Sequence, residues 1–206
     1  MTQEERSERS RTAILDAALA MFSHQGYRAT SIRDIAGKAG VSTGSVYHHF
    51  RDKEALFNTL LQVFWAASEK PDFPLNRVLE AGAFPDRLEQ IGVAAREIVS
   101  GWRSYVALIY VDVVEFEGLH IRKFYADVVS RCERFLSEHR DTQPIAERLR
   151  PSIPPATAMV MTMRVFLYYF VVELLFGVPN HYGMTSEQAN AIIADVLKHG
   201  MLRREA

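Results

Sequence analysis

Cysteine is almost absent: Cys132 is the single one among 206 residues. No intrachain disulfide can form, so packing alone must hold the fold, and this usage fits a reducing cytoplasm. The first residues, MTQEERSERSR, are polar and charged and have no apolar signal core, so no secretory signal is expected there. No sustained period-2 run of β-branched residues occurs, which argues against a sheet. Long apolar runs are missing too. The longest, Val165–Val172, lies between Arg164 and Glu173, whereas a membrane span needs roughly 20 consecutive, mostly apolar residues. Segment 156–176 therefore reads as a helix buried partly by core and partly by a second subunit, with no membrane partner. Neither HExxH, GxSxG, a P-loop nor GxGxxG is present. Cys132, beside Arg131 and Arg134, lies in an amphipathic helix without a nucleophile motif. An enzyme is not expected, nor is a metal or cofactor. Charge of one sign is also lacking, with 24 basic and 25 acidic residues and a net charge of −1. Divided at residue 53, however, the first part carries eight Lys/Arg against six Asp/Glu and the remainder 16 against 19. A mildly basic head on an acidic body is compatible with DNA binding.

Apolar residues at helical spacing are plentiful, and a hydrophobic content of 48% supplies a sizeable core. Ile14, Ala17, Ala18, Met21 and Phe22 share one face of a first helix over about 10–24. Gly26 ends it, and Thr30 or Ser31 caps a short second helix that stops at Gly40. Ser42 caps a third, to about Phe50, and Asp52 begins a fourth. Residues 70–85, KPDFPLNRVLEAGAFP, read as a loop around a short helical turn. Helices are expected again at about 86–100, 102–117, 121–140, 156–176 and 186–203, the last opened by a Thr185–Gln188 capping box. The fold class is all-α, with about nine helices. A three-helix N-terminal domain, 1–51, precedes a larger helical domain, 52–206.

The informative stretch is residues 30–50, TSIRDIAGKAGVSTGSVYHHF. Two short helices meet at Ala39-Gly40-Val41, where Gly40 suits a positive φ and Val41 plugs the angle, as in a helix-turn-helix. Ile32, Ile35, Ala36, Val41 and Val46 face the first helix. Thr43, Gly44, Ser45, Tyr47 and His48 remain outward on the second: small or hydrogen-bonding groups suited to base edges and phosphates. Free N–H groups at Ser42–Ser45 would favour a phosphate. His48 and His49 are not a metal pair, because neighbours on a helix point about 100° apart.

From Ile14-Leu15-Asp16-Ala17-Ala18 through Phe22, Gly26-Tyr27, Thr30-Ser31-Ile32, Ile35-Ala36, Ala39-Gly40-Val41-Ser42, Tyr47-His48-His49-Phe50 and Lys53-Glu54-Ala55-Leu56, the chain resembles the TetR family of bacterial regulators. The resemblance covers the N-terminal quarter. It implies that Arg33 reaches a base or phosphate, with Ser31 near the backbone. Thr43, Gly44 and His48 would face the major groove, Ser42, Ser45 and Tyr47 would touch phosphates, and Lys53 would pair with a phosphate. It further implies a ligand pocket in helices four to seven, with Phe64, Trp65, Trp102, Tyr105, Tyr110, Phe116 and Tyr125 as candidate lining residues. Such walls suit a small hydrophobic or aromatic effector, and core filling is the competing account. Arg103, Glu115 and Glu117 could anchor a charged group or simply be exposed.

The last two long helices are the expected dimer elements, with Tyr168, Phe170, Val172, Ile193, Leu197 and Met201 as contributors. The functional expectation is a cytoplasmic homodimeric repressor on double-stranded, palindromic operator DNA, released when the effector tilts the fourth helix. A ligand-independent DNA-binding factor acting through protein partners is the alternative.

Overall fold

The computed structural model describes residues 2–138 and 145–202. Its elements are α1 (Gln3–Gln25), α2 (Ile32–Ala39), α3 (Thr43–His49), α4 (Lys53–Ser68), α5 (Pro74–Glu80), α6 (Leu88–Gly101), α7 (Arg103–Phe116), α8 (Arg122–Glu138), α9 (Ile145–Arg148), α10 (Pro155–Phe170) and α11 (Ser186–Met201). Among the described residues there is no strand ladder, only one isolated bridge between Leu149 and Leu202. The all-α expectation holds. The helix count exceeds about nine because α5 and α9 are short pieces of seven and four residues. Parts of the expected 121–140 and 186–203 helices, residues 139–140 and 203, lie outside the described residues.

One compact unit comprises residues 1–67 and 104–123. In it α1 runs from residue 3, well before the expected start near 10, because Thr2 and Glu5 form a capping box. Apolar periodicity could not show this, since the first three turns are polar on every face. The core collects Ile14, Ala17, Ala18 and Phe22 of α1, Ile35 and Ala36 of α2, Val46 of α3, and Leu56, Phe57, Leu60 and Leu61 of α4. Burial of each large side chain contributes about 1.5–3 kcal/mol. Gly40 closes α2 in the left-handed region, at φ 68°, ψ 30°.

A second compact unit comprises residues 68–103 and 124–206. There α6 packs on α5, α10 and α11. The expected 156–176 helix is α10 continued by a π-helical turn, Val171–Leu175. Arg103 donates to the carbonyls of Leu174 (2.5 Å) and Leu175 (3.3 Å), satisfying oxygens that a helix end leaves free. Pro155–Leu175 has the length and composition of a membrane span, yet half of it is buried within the chain. It serves as a core helix.

Candidate nucleic-acid interface

Three capped helix starts set the geometry of residues 30–53. Ser31 Oγ accepts the N–H of Asp34 at 3.1 Å, and Asp34 Oδ2 accepts the Ser31 N–H at 3.2 Å and its hydroxyl at 2.5 Å. These bonds hold the Asp34 carboxyl below its usual range. They fix the start of α2, and two residues beyond the cap Arg33 stands exposed. Ser42 Oγ accepts the N–H of Ser45 at 3.1 Å and starts α3. Asp52 Oδ1 accepts the N–H of Ala55 at 2.7 Å and starts α4.

On α3, Val46 is fully buried while Thr43, Gly44, Tyr47 and His48 are exposed, Tyr47 at 57%. Val46 anchors the helix to α1 and α2, and the helical period turns those four outward. Exposed Ser31, Arg33 and Ser42 lie on the adjoining caps. Ser45 is half-buried and its hydroxyl shares a 3.0 Å hydrogen bond with Ser10 of α1, which sequence reading did not single out. His49 faces α1 rather than outward: burial, then the charges of His48 and Arg11, lower its pKa. Lys53 donates to the carbonyls of Tyr27 (2.9 Å) and Thr30 (2.8 Å), with Nζ 4.1 Å from the Tyr27 ring centroid. Burial lowers its pKa, opposed by the charge of Glu115. One of its three N–H donors is left for another partner. Among the described residues no cluster of three or more His, Cys, Asp or Glu could hold a metal.

A family model described as bacterial regulatory proteins, tetR family, matches residues 14–60, the stretch that contains this surface. Over that N-terminal stretch the chain is similar to the TetR family. Curated relatives include the transcriptional repressor KstR2 of Mycobacterium tuberculosis, 32% identical over 136 residues, which is 59% of this chain and 65% of the relative. The KstR2 of Mycolicibacterium smegmatis is 44% identical over 133 residues, 58% of this chain and 62% of that one. The matched regions thus span less than two thirds of these relatives. Among solved structures, NalD of Pseudomonas aeruginosa, the secondary repressor of the MexAB-OprM multidrug efflux pump, aligns with a TM-score of 0.67 and 22% identity, covering 98% of this chain and 100% of NalD. That likeness shows the TetR fold over nearly the whole chain. The two curated relatives and NalD are each named as repressors.

Beyond the family's N-terminal motif, the expected effector residues fall in both units. Phe64 and Trp65 are buried on α4, and the Phe64 ring stacks on Tyr105 at 6.0 Å and 13°. Tyr110 is half-buried. Phe116 belongs to an aromatic layer, 4.6 Å from Tyr27, 5.2 Å from Phe57 and 4.7 Å from His120. In the second unit Trp102 lies 6.2 Å from Phe73, and exposed Tyr125 has the Arg164 guanidinium 5.7 Å over its ring. Of the expected dimer residues, Tyr168 is exposed at 61% and Val172 and Leu197 are half-buried, whereas Phe170, Ile193 and Met201 are buried in their own chain. The outward apolar row on α10 is instead Met161, Val165 and Tyr168, and on α11 Ile192 and Val196. Arg103 and Glu115 are engaged with backbone groups, Arg103 as described above and Glu115 at the amides of Tyr27 and Arg28. Helical periodicity could not have shown either, because their partners are 71 to 88 residues away.

Proposed function

We propose that this chain is a cytoplasmic, homodimeric transcriptional repressor of the TetR family that binds a palindromic operator and is released by a small hydrophobic or aromatic effector. The carrying observation is the outward set Thr43, Gly44, Tyr47 and His48 on a capped α3, with exposed Arg33 on α2 beside it. In this reading residues 1–51 read DNA. Arg33, Thr43, Gly44 and His48 address bases, while Ser31, Ser42, Ser45, Tyr47 and the remaining N–H of Lys53 address phosphates. Residues 52–206 sense and dimerise, and the apolar rows of α10 and α11 pair with a second copy. Two recognition helices about 34–36 Å apart then meet successive major grooves. Repression is supported by relatives that are named repressors. An apolar effector is supported by the KstR2 of M. tuberculosis, whose structure is described as a ketosteroid transcriptional regulator. The effector tilts α4 and moves the heads out of register, a coupling of about 1–3 kcal/mol.

Selection of duplexes from a random pool with the full chain tests the reading. Enrichment of a two-fold symmetric sequence is expected, with dimers seen by sedimentation. Arg33→Ala should weaken binding to the selected duplex by about 1–3 kcal/mol and relax preference at one position per half-site. Steroid ketones and simple aromatics, titrated into the complex, should include one that lowers affinity about five- to 150-fold. No enriched sequence would remove the DNA-binding reading, and no releasing compound would remove the effector part alone.

A further inference from the structure

The turn between α1 and α2 is held from two directions. Glu115, in the last turn of α7, accepts the N–H of Tyr27 on Oε1 at 2.8 Å and the N–H of Arg28 on Oε2 at 2.7 Å. From α4, Lys53 donates to the carbonyls of Tyr27 and Thr30. Both backbone polar groups of Tyr27 are therefore taken by charged side chains, its N–H by an acid and its C=O by a base. Gly26 fits this clasp on two counts. Its φ is +87°, and a Cβ placed there would stand 2.7 Å from Glu115 Oε1. The Tyr27 ring lies on Phe116 at 4.6 Å and on Phe22 and Phe57 at 5.5 Å. A second tie secures the end of α7 to α4: fully buried Asp112 bonds His120 Nδ1 at 2.6 Å, and His120 Nε2 lies 3.5 Å from Glu54 Oε1.

The position of Glu115 is otherwise unfavourable. A carboxylate near a helix C-terminus meets the negative end of the dipole, and α7 has no basic residue in that turn. Its side chain is also only 15% exposed. Two charge-assisted bonds to successive amides offset both costs. An acid kept for solubility would gain nothing here, whereas one that fixes the turn does.

We infer that Glu115 is a positioning residue for DNA recognition: it fixes the α1–α2 turn to α7, so that α3 is presented at one angle. The inference rests on the reading of the chain as a DNA-binding regulator. Removing the carboxylate frees the turn while the packed core of α1, α2 and α3 persists. Each head can still meet DNA alone, but a symmetric site needs both heads in register.

The test uses the full chain and the duplex selected by the wild type, beside a scrambled duplex of equal length. Glu115→Ala should lose about tenfold in affinity for the selected duplex. It should keep its affinity for the scrambled one, and the Tyr27 and Arg28 amides should exchange faster with deuterium. Glu115→Gln, with a single acceptor oxygen, should fall between. Equal losses on both duplexes would mean a merely structural role, and unchanged selectivity with exposed amides would mean a clasp without consequence; either overturns the inference. Should the Ala variant not fold, the Gln variant decides by the same two readouts. A wild type that enriches no sequence removes the regulator reading and this inference with it, and amide protection then reports on the clasp alone.

Discussion

In the first unit, helix starts are closed by side chains: Thr2, Ser31, Ser42 and Asp52 each accept a backbone N–H from three residues on. In the second, α5, α6 and α10 begin at Phe73, Arg87 and Pro154 without such a bond, and α11, capped by Thr185, is the exception. The first unit is thus directed by residues close in sequence and then tied together by charged clasps. The second depends on helices approaching closely over long sequence separations. A surface that, in the proposed function, presents the same few side chains to DNA gains from local fixing, because each cap sets the direction of the residues just after it.

The largest effect should come from a place where the first unit also relies on distant packing. Phe57 is fully buried, with Phe22, Tyr27, Phe116 and His120 around its ring at 5.2 to 5.8 Å. Phe57→Ala should cost about 3–5 kcal/mol in denaturant unfolding. It should also release the α1–α2 turn, seen as faster exchange at the Tyr27 amide. A cost under about 1.5 kcal/mol would mean that the layer collapses onto the gap, and the first unit would then owe more to its caps than to this packing.

That division explains what could be read in advance. Ser42, Gly40 and the outward set on α3 were legible because a cap, a left-handed glycine and a 3.6-residue period are local signals. The start of α1 at Gln3 was missed because a polar turn has no apolar period, although Thr2 and Glu5 already spelled a capping box. For Glu115 the sequence offers only a possible anchor, since nothing in its own neighbourhood points to amides 88 residues away. Its one local signal was an acid at a helix end with no base beside it. On α10 the apolar residues run nearly all round, and on α11 they occupy a broad part of the surface. Spacing could therefore not separate Tyr168 and Val196, which are exposed, from Phe170 and Ile193, which are buried.

Gly92 sharpens the contrast from the side of the second unit. It lies in mid-helix on α6, where Gly→Ala ordinarily favours a helix by about 1 kcal/mol. A Cβ there would stand 1.7 Å from Asn190 Oδ1 of α11 and 2.8 Å from a ring carbon of Phe166 of α10. The Asn190 side chain, which donates to Glu89 O at 3.1 Å, can turn away, but the fully buried Phe166 ring has no free direction. Gly92→Ala should therefore destabilise the chain by about 1–3 kcal/mol, against its propensity. A stabilised variant in thermal melts would show that α6 moves outward readily, and that close approach does not hold this unit.

The smallest effect tests whether a charged pair matters in the second unit as clasps do in the first. Arg148 grips Asp86 through both terminal nitrogens, with Nη1 donating to Oδ2 at 2.8 Å. The bond from Arg148, partly opposed by burial, holds the Asp86 carboxyl below its usual range. Since the native pKa is depressed, the stabilisation is complete above the unfolded-state value and disappears as pH falls through the native one. Both side chains are 44% exposed, so solvent screening limits the pair to below about 1 kcal/mol. Asp86→Asn should melt slightly below the wild type at neutral pH, with the gap closing on acidification. A gap that persists below the native pKa would assign the loss to packing rather than charge. A gap well above 1 kcal/mol at neutral pH would mean that this unit, too, is held by a clasp.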